Sequence, residues 1–328
     1  MVLNIEKLLP SVLRHENIAR IEDDVLLIGD RRKLPFSREF YKAYDASDAA
    51  CAIRMMVTQG GGPLETALQA MVLTARKCGK NMDELRKAGS LLSSARKTNT
   101  TMKREVAFLL EEFESIGSRN FADAVQELVD SRLEEYDEKY LAMAEYGCRL
   151  IKDGDGILTT CFPEHSFFLS LSLAREEGKK VTVYAQETRP YLQGAHLTAP
   201  SLAELSFDHY LITDNMAAFF VSSGRVNIYM TASDLATKEK WVINKLGTLS
   251  SAIACHEYGV PYYAFSMGFD DSYSTLCEKE VEFRDPEEVK ECQGIPVTGG
   301  DVRAIYPCFD VIAPEYVSAL ITPDGIIS

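Results

Sequence analysis

GDGILTTCFPEHSFFLSLSLAREEGKKVTVYA, residues 154–185, is the stretch on which the fold turns. A short apolar run, Ile157–Thr160, leads into helical periodicity over Glu164–Glu177, and a second β-rich run follows at Val181–Ala185. Gly178 stands where a helix-terminating glycine usually stands. Strand, helix, strand in that order, with short apolar strands, predicts a parallel sheet covered by helices. The alternation continues, with strands predicted at Tyr210–Thr213, Asn227–Thr231 and Pro261–Phe265. Helices are predicted at Ala199–Leu205, Met216–Ser222 and Asn244–Tyr258, the last closed by Gly259. The downstream part therefore reads as a doubly wound α/β domain.

Upstream of Gly154 the character is helical. Ser47–Met56 is Ala-rich, with Ser47 and Asp48 as candidate caps. A break at Gly60-Gly61-Gly62-Pro63 precedes helices at Leu64–Cys78, Met82–Ala95, Met102–Glu114 and Phe121–Arg149. The last is long enough to join two domains. A chain of 328 residues exceeds one typical core, and the expected division is a mostly helical domain over residues 1–140 and a sheet domain over 141–328.

Hydrophobic content of 46% and charged content of 26% are those of a soluble globular protein. A net charge of −14 argues against nucleic acid as a partner, because a phosphate backbone needs a basic footprint. A local pocket can still be positive. No apolar run is long enough for a membrane span, and Met1 to His15 lacks the pattern of a secretory signal. Neither the eight dispersed cysteines nor the five histidines show metal-ligand spacing. Reduced thiols, a cytoplasmic location and no metal are the expectations.

In doubly wound sheets, ligands bind beyond the carboxyl ends of the strands. The predicted strands end at Cys161, near Glu187-Thr188-Arg189-Pro190, at Asp214-Asn215 and just before Asp234. A thiol, an arginine and two or three carboxylates on one rim suit acid–base work on a polyhydroxylated substrate. Each also has a structural reading. A cysteine after a strand is most often simply buried. Asp214 and Asp234 could cap helices, and Arg189 could pair with Glu187. The triple glycine is either an ordinary loop or a cradle of N–H groups for a phosphate.

The wording of several segments separates these readings. Glu187-Thr188-Arg189-Pro190-Tyr191-Leu192-Gln193-Gly194-Ala195-His196-Leu197-Thr198 resembles the ETRPxxQGxxLT segment of the methylthioribose-1-phosphate isomerase family. That family includes ribose-1,5-bisphosphate isomerases and the regulatory subunits of translation initiation factor 2B. Ile212-Thr213-Asp214-Asn215-Met216-Ala217-Ala218 resembles its ITDNMAA, and Asp234 stands at the place of the aspartate in GADRI. Asn244-Lys245-Leu246-Gly247-Thr248 resembles NKIGT, Arg284–Val289 resembles RDPEEV, and Tyr306–Val311 resembles part of NPAFDVT. The resemblance also covers Arg32–Pro35 and Ala52–Val57.

This resemblance implies a helical N-terminal domain, a Rossmann-like C-terminal domain, a homodimer, a site between the domains and no cofactor. It implies catalysis by Cys161 and Asp234 on a small-molecule sugar phosphate, converting a pentose 1-phosphate to the ribulose 1-phosphate. The carried-over binding residues are Gln59, Gly60, Gly61, Arg96, Gln193, Asn244 and Lys245. The pattern is not intact. The isomerases' RGAP loop has Gln59 in place of its arginine and gains Gly62, and Lys97 replaces the proline after Arg96. Their His-Cys-Asn-Ala-Gly reads Thr160-Cys161-Phe162-Pro163-Glu164, Leu235 replaces an arginine and Trp241 an aspartate. Phe162, Phe167, Phe168 or Trp241 could line an apolar pocket for a methylthio or methyl group on carbon 5. The implied chemistry needs a lowered Cys161 thiol and a raised Asp234 carboxyl, the latter through burial. The competing class is a non-catalytic sensor of a sugar phosphate or nucleotide. Cys161 with Asp234 favours the enzyme, and Gln59, Leu235 and Trp241 favour the sensor.

Overall fold

The computed structural model describes residues 5–96, 100–270, 276 and 281–328. Lys97 and Cys277 lie outside the described residues. The chain forms two compact units. One comprises Ser11–Glu138, and the other joins Lys139–Ser328 to the residues up to Pro10.

The first unit holds helices α1 (His15–Ile18), α2 (Ala46–Arg54), α3 (Gly62–Cys78), α4 (Met82–Ser94) and α5 (Thr100–Ser115), and the start of α6 (Phe121–Leu150). It is less purely helical than the sequence suggested. Strands β1 (Ala19–Glu22), β2 (Val25–Gly29) and β3 (Phe40–Ala43) form an antiparallel sheet. The β1–β2 turn is Asp23-Asp24, with φ of 47° and 59°. Two consecutive left-handed residues are what a two-residue hairpin requires, and Asp tolerates them. The cap of α2 also differs from expectation. Asp45 accepts from the N–H groups of Ser47 and Asp48, so Asp45 is the cap, and Asp48 accepts in turn from the Tyr44 N–H at 2.9 Å.

In the first unit a histidine lies between two carboxylates. His15 Nδ1 lies 3.0 Å from Glu65 Oε2, and its Nε2 lies 3.1 Å from Asp137 Oδ2. Burial opposes charge on the imidazole, but the two hydrogen-bonded carboxylates outweigh it and raise His15 to about 11. Burial raises Glu65 against the pull of His15.

The second unit is a seven-stranded sheet with helices. Its strands are β4 (Gly156–Thr159), β5 (Thr182–Gln186), β6 (Asp208–Ile212), β7 (Ile228–Ala232), β10 (Tyr262–Phe265), β14 (Ala319–Thr322) and β15 (Gly325–Ile327). The order is β15-β14-β10-β7-β4-β5-β6, parallel throughout except for the edge strand β15. Helices α7 (Glu164–Glu176), α8 (Ala199–Glu204), α9 (Ala217–Ser222) and α10 (Thr248–Glu257) connect the strands. Each predicted strand of the α/β part appears within two residues of its expected bounds. Gly178 and Gly259 do close helices, with φ of 82° and 68°.

A second, antiparallel sheet joins β8 (Leu235–Ala236), β9 (Val242–Lys245) and β13 (Phe309–Ile312). The predicted helix Asn244–Tyr258 is corrected here: Asn244 and Lys245 end strand β9, and the helix begins at Thr248. Asp310 accepts from the N–H groups of Gly247 and Leu249, which caps α10 and makes the break. The two-residue strands β11 (Glu291–Cys292) and β12 (Ile295–Pro296) pair as a hairpin beside the short helix α11 (Glu287–Lys290).

Candidate functional site

Strand order fixes where the site lies. Reading outward from β4, the chain runs to β5 and β6 on one side and to β7, β10 and β14 on the other. The reversal falls between β4 and β7, which pair through Ile157↔Ile228 and Leu158↔Tyr229. A crevice opens at the carboxyl ends of two such strands. Cys161 follows β4 by two residues and Asp234 follows β7 by two residues. The two residues therefore flank the switch point.

Cys161 is held through its own peptide groups. Its φ of 66° is left-handed, an uncommon state for a residue with a Cβ. Its N–H donates to Thr188 Oγ1 at 2.9 Å, and its carbonyl accepts from Thr198 Oγ1 at 2.5 Å. Thr188 is also left-handed and fully buried, and its hydroxyl donates to the Gln186 carbonyl at 3.0 Å. Asp214 holds that loop from the next strand, accepting from Thr188 N–H at 2.8 Å and from Arg189 N–H at 2.7 Å. The carboxylate of Asp214 is thus engaged by backbone. Arg189 does not pair with Glu187. Its guanidinium donates to the carbonyls of Pro190, Val289 and Glu291.

A buried polar network lies below. Thr160 Oγ1 hydrogen-bonds Gln186 Oε1 and Tyr229 OH, Ser251 Oγ donates to the same Gln186 oxygen, and Gln186 Nε2 donates to the Asp214 carbonyl. Strands β4, β5 and β7, helix α10 and the loop after β6 are joined at this point, which fixes the loops that carry the site.

The electrostatics depart from the expected lowered thiol. Cys161 is half-buried, with enough protein around the sulfur that desolvation pushes the thiol up to about 12. The positive charge of Lys245 opposes this rise, and the negative charges of Asp234 and Glu164 add to it. Asp234 is exposed, so the burial that was to raise its carboxyl is absent.

Asp234 sits against the small sheet, its N–H donating to the Ile243 carbonyl at 2.9 Å. Asn244 and Lys245 come next in β9, each 4% exposed. Asn244 Nδ2 donates to Thr248 Oγ1. Lys245 Nζ donates to Tyr306 OH at 2.8 Å and Cys308 Sγ at 3.4 Å, among the rings of Tyr191, Tyr306 and Phe309. Among the described residues only two of its three donors are engaged, and no carboxylate lies within ion-pair distance. Gln193 is 5% exposed, and among the described residues its Oε1 has no hydrogen-bond partner. It precedes a π-helical turn, Gly194–Thr198, of the kind found at functional sites. Gly194 is required there, because a Cβ would strike the Gln186 carbonyl.

Cys161, Asp234, Gln193, Asn244 and Lys245 are thus carried by neighbouring elements of one unit. Gln59, Gly60, Gly61 and Arg96 belong to the other. There, Gln59 is buried and its carbonyl accepts from Arg31 Nη1 at 2.6 Å. Gly60 is left-handed, Gly61 is the N-cap of α3, and Arg96 is half-buried between α4 and α5. Of the residues expected to line an apolar pocket, Phe167 and Phe168 are fully buried core. Leu235 and Trp241 pack against a cluster that includes Ile243, Tyr306, Cys308 and Phe309. Among the described residues no cluster of three or more His, Cys, Asp or Glu is placed to hold a metal. No described helix is long and apolar enough to cross a membrane.

Residues 51–328 match the model of the initiation factor 2 subunit family. The chain belongs to the initiation factor 2 subunit family. Within it, the chain is 32% identical over 322 residues to methylthioribose-1-phosphate isomerase of Fervidobacterium nodosum, covering 93% of this chain and 92% of that one. It is 31% identical over 325 residues to the enzyme of the same name from Chloroflexus aurantiacus, covering 93% of both. Two solved structures share the fold. One is 5-methylthioribose 1-phosphate isomerase of Pyrococcus horikoshii, with a TM-score of 0.87, 24% identity and coverage of 98% of this chain and 94% of that one. The other is the delta subunit of translation initiation factor eIF-2B from A. fulgidus, with a TM-score of 0.81, 27% identity and coverage of 94% and 95%.

Proposed function

We propose that this chain is an aldose–ketose isomerase. It converts a pentose 1-phosphate of the methylthioribose 1-phosphate or 5-deoxyribose 1-phosphate type to the corresponding ribulose 1-phosphate. The observation that carries the reading is the placement of Cys161 and Asp234 on either side of the β4/β7 switch point. The names of the relatives support it. Net isomerisation moves hydrogens within one molecule, so the chemistry calls for no redox cofactor.

The substrate's anomeric carbon is phosphorylated, so ring opening needs a proton on the ring oxygen. With the thiol raised to about 12, the proton starts on sulfur. The Cys161 thiol is then the donor to the ring oxygen as the C1–oxygen bond breaks. The Asp234 carboxylate takes the proton from carbon 2, leaving an enol phosphate. Asp234 returns that proton to carbon 1, and the Cys161 thiolate recovers one from the carbon 2 hydroxyl as the ketone forms. Both groups end as they began. Lys245 has a donor to spare for the phosphate, and the Gln193 oxygen for a sugar hydroxyl. In the first unit the proposal extends to Gln59, Gly60, Gly61 and Arg96 as phosphate binders. The seven described cysteines are free thiols, which supports a cytoplasmic setting.

The test is incubation with methylthioribose 1-phosphate, 5-deoxyribose 1-phosphate and ribose 1,5-bisphosphate, with product read by NMR. The expected result is conversion of one of the first two. A sensor without turnover is the second reading, favoured by Gln59, Leu235 and Trp241. Thermal stabilisation by a sugar phosphate with no product from any of the three would establish it.

A further inference from the structure

Glu164 is a carboxylate that no step above uses. It is the first residue of α7, three positions after Cys161, with a φ of 62°. Glycine, the residue of the related His-Cys-Asn-Ala-Gly motif, takes that conformation without cost. A side chain with a Cβ does not. An acidic residue that merely complements the α7 dipole would sit at ordinary φ with its carboxylate in water. The Glu164 side chain is instead only 12% exposed, with Oε2 3.6 Å from Nδ1 of His165. The His165 ring is itself stacked on Tyr140 at 4.4 Å. The Glu164 charge reaches Cys161. A backbone strain kept at a functional site, with an enclosed charge as its product, points to a use for that charge.

We propose that Glu164 is a positioning carboxylate of the Cys161 site, a fixed negative charge that governs proton transfer to and from the sulfur. The proposal rests on the isomerase reading for its effect on turnover. The charged and titratable groups around the sulfur are Lys245 from β9, Asp234 from the loop after β7, and Glu164 with His165 from α7, the latter backed by Tyr140 of α6. Lys245 favours the thiolate, while Asp234 and Glu164 favour the thiol. In the ketone-forming half-reaction the thiolate must take a proton back from a hydroxyl. The carboxylate makes it a stronger base for that step.

The experiment uses the full chain as Glu164→Gln and Glu164→Gly. Three quantities are read: Tm, turnover of methylthioribose 1-phosphate, and the rate at which iodoacetamide alkylates Cys161 between pH 8 and 10, followed by peptide mass spectrometry. In that range the rate tracks the thiolate fraction. The expected result is a higher Tm for Glu164→Gly and alkylation at least about threefold faster in both variants. Turnover falls about tenfold in kcat with KM within about twofold. A purely structural Glu164 would give a more stable Gly variant with unchanged kcat and unchanged alkylation, and either unchanged quantity overturns the proposal. Should the wild type convert no sugar phosphate, the isomerase reading fails. The alkylation rates then decide alone whether Glu164 governs the sulfur.

Discussion

Two threonine hydroxyls decide where the Cys161 sulfur points. Thr188 Oγ1 accepts from its N–H and Thr198 Oγ1 donates to its carbonyl, and the residue is left-handed between them. Thr188→Val keeps the volume but removes an acceptor and a donor in a fully buried place. A cost of about 2 kcal/mol in stability is expected. Because the defect lies at the sulfur, kcat should fall more than KM rises, which steady-state kinetics beside a urea melt would read. A merely destabilised protein would lose active fraction with KM and alkylation rate unchanged. The raised Cys161 thiol carries its own pH prediction. Its proton is bound through neutral pH and leaves only as pH climbs toward about 12. Alkylation of Cys161 should therefore stay slow at pH 8 and rise about tenfold per pH unit to pH 10. A plateau below pH 9 would contradict the assignment of the resting proton to sulfur.

At the level of elements, the parallel sheet was legible because short apolar runs alternate with helices, two of which end at Gly178 and Gly259. The small sheets were not. Strand β9 is buried on both faces over Val242–Lys245. It lacks a period-two pattern and runs without a proline or serine stop into α10. The break comes from Asp310, 63 residues from Gly247, whose N–H it accepts. Strands β1 and β2 had a readable signal in Asp23-Asp24 just before the apolar run Val25–Ile28. The positions of Cys161 and Asp234 were legible from strand ends and motifs. The direction of the thiol shift was not, because it depends on desolvation and on charges brought from β9 and the loop after β7. Gly194 tests the packing of β5 on its following turn. Gly194→Ala drives a Cβ into the Gln186 carbonyl and should cost about 2 kcal/mol with loss of activity. In the first unit, His15→Gln leaves Glu65 buried without its cation, at a cost of about 3 kcal/mol. The sign with pH follows from the raised imidazole. Its contribution is complete below the unfolded value near 6.5 and declines as pH rises toward about 11. The stability gap between wild type and His15→Gln should thus be larger at pH 6 than at pH 9.5 in urea unfolding.

On the scale of the whole molecule, the seven-stranded sheet ends at β6, where Tyr210 and Leu211 are exposed, and Phe219 of α9 is exposed as well. An apolar edge of this kind invites pairing, in keeping with the homodimer that the sequence resemblance implies. Leu211→Glu with Phe219→Glu should halve the mass seen by light scattering while leaving the fold intact, and a wild type already monomeric at micromolar concentration would remove the dimer from the account. The most direct measurement is the rate of methylthioribose 1-phosphate conversion by wild type, Cys161→Ser and Asp234→Asn, followed by phosphorus NMR. Conversion by wild type and a fall of at least about a hundredfold in each variant are expected, whereas variants as fast as wild type would mean that neither side chain carries the reaction.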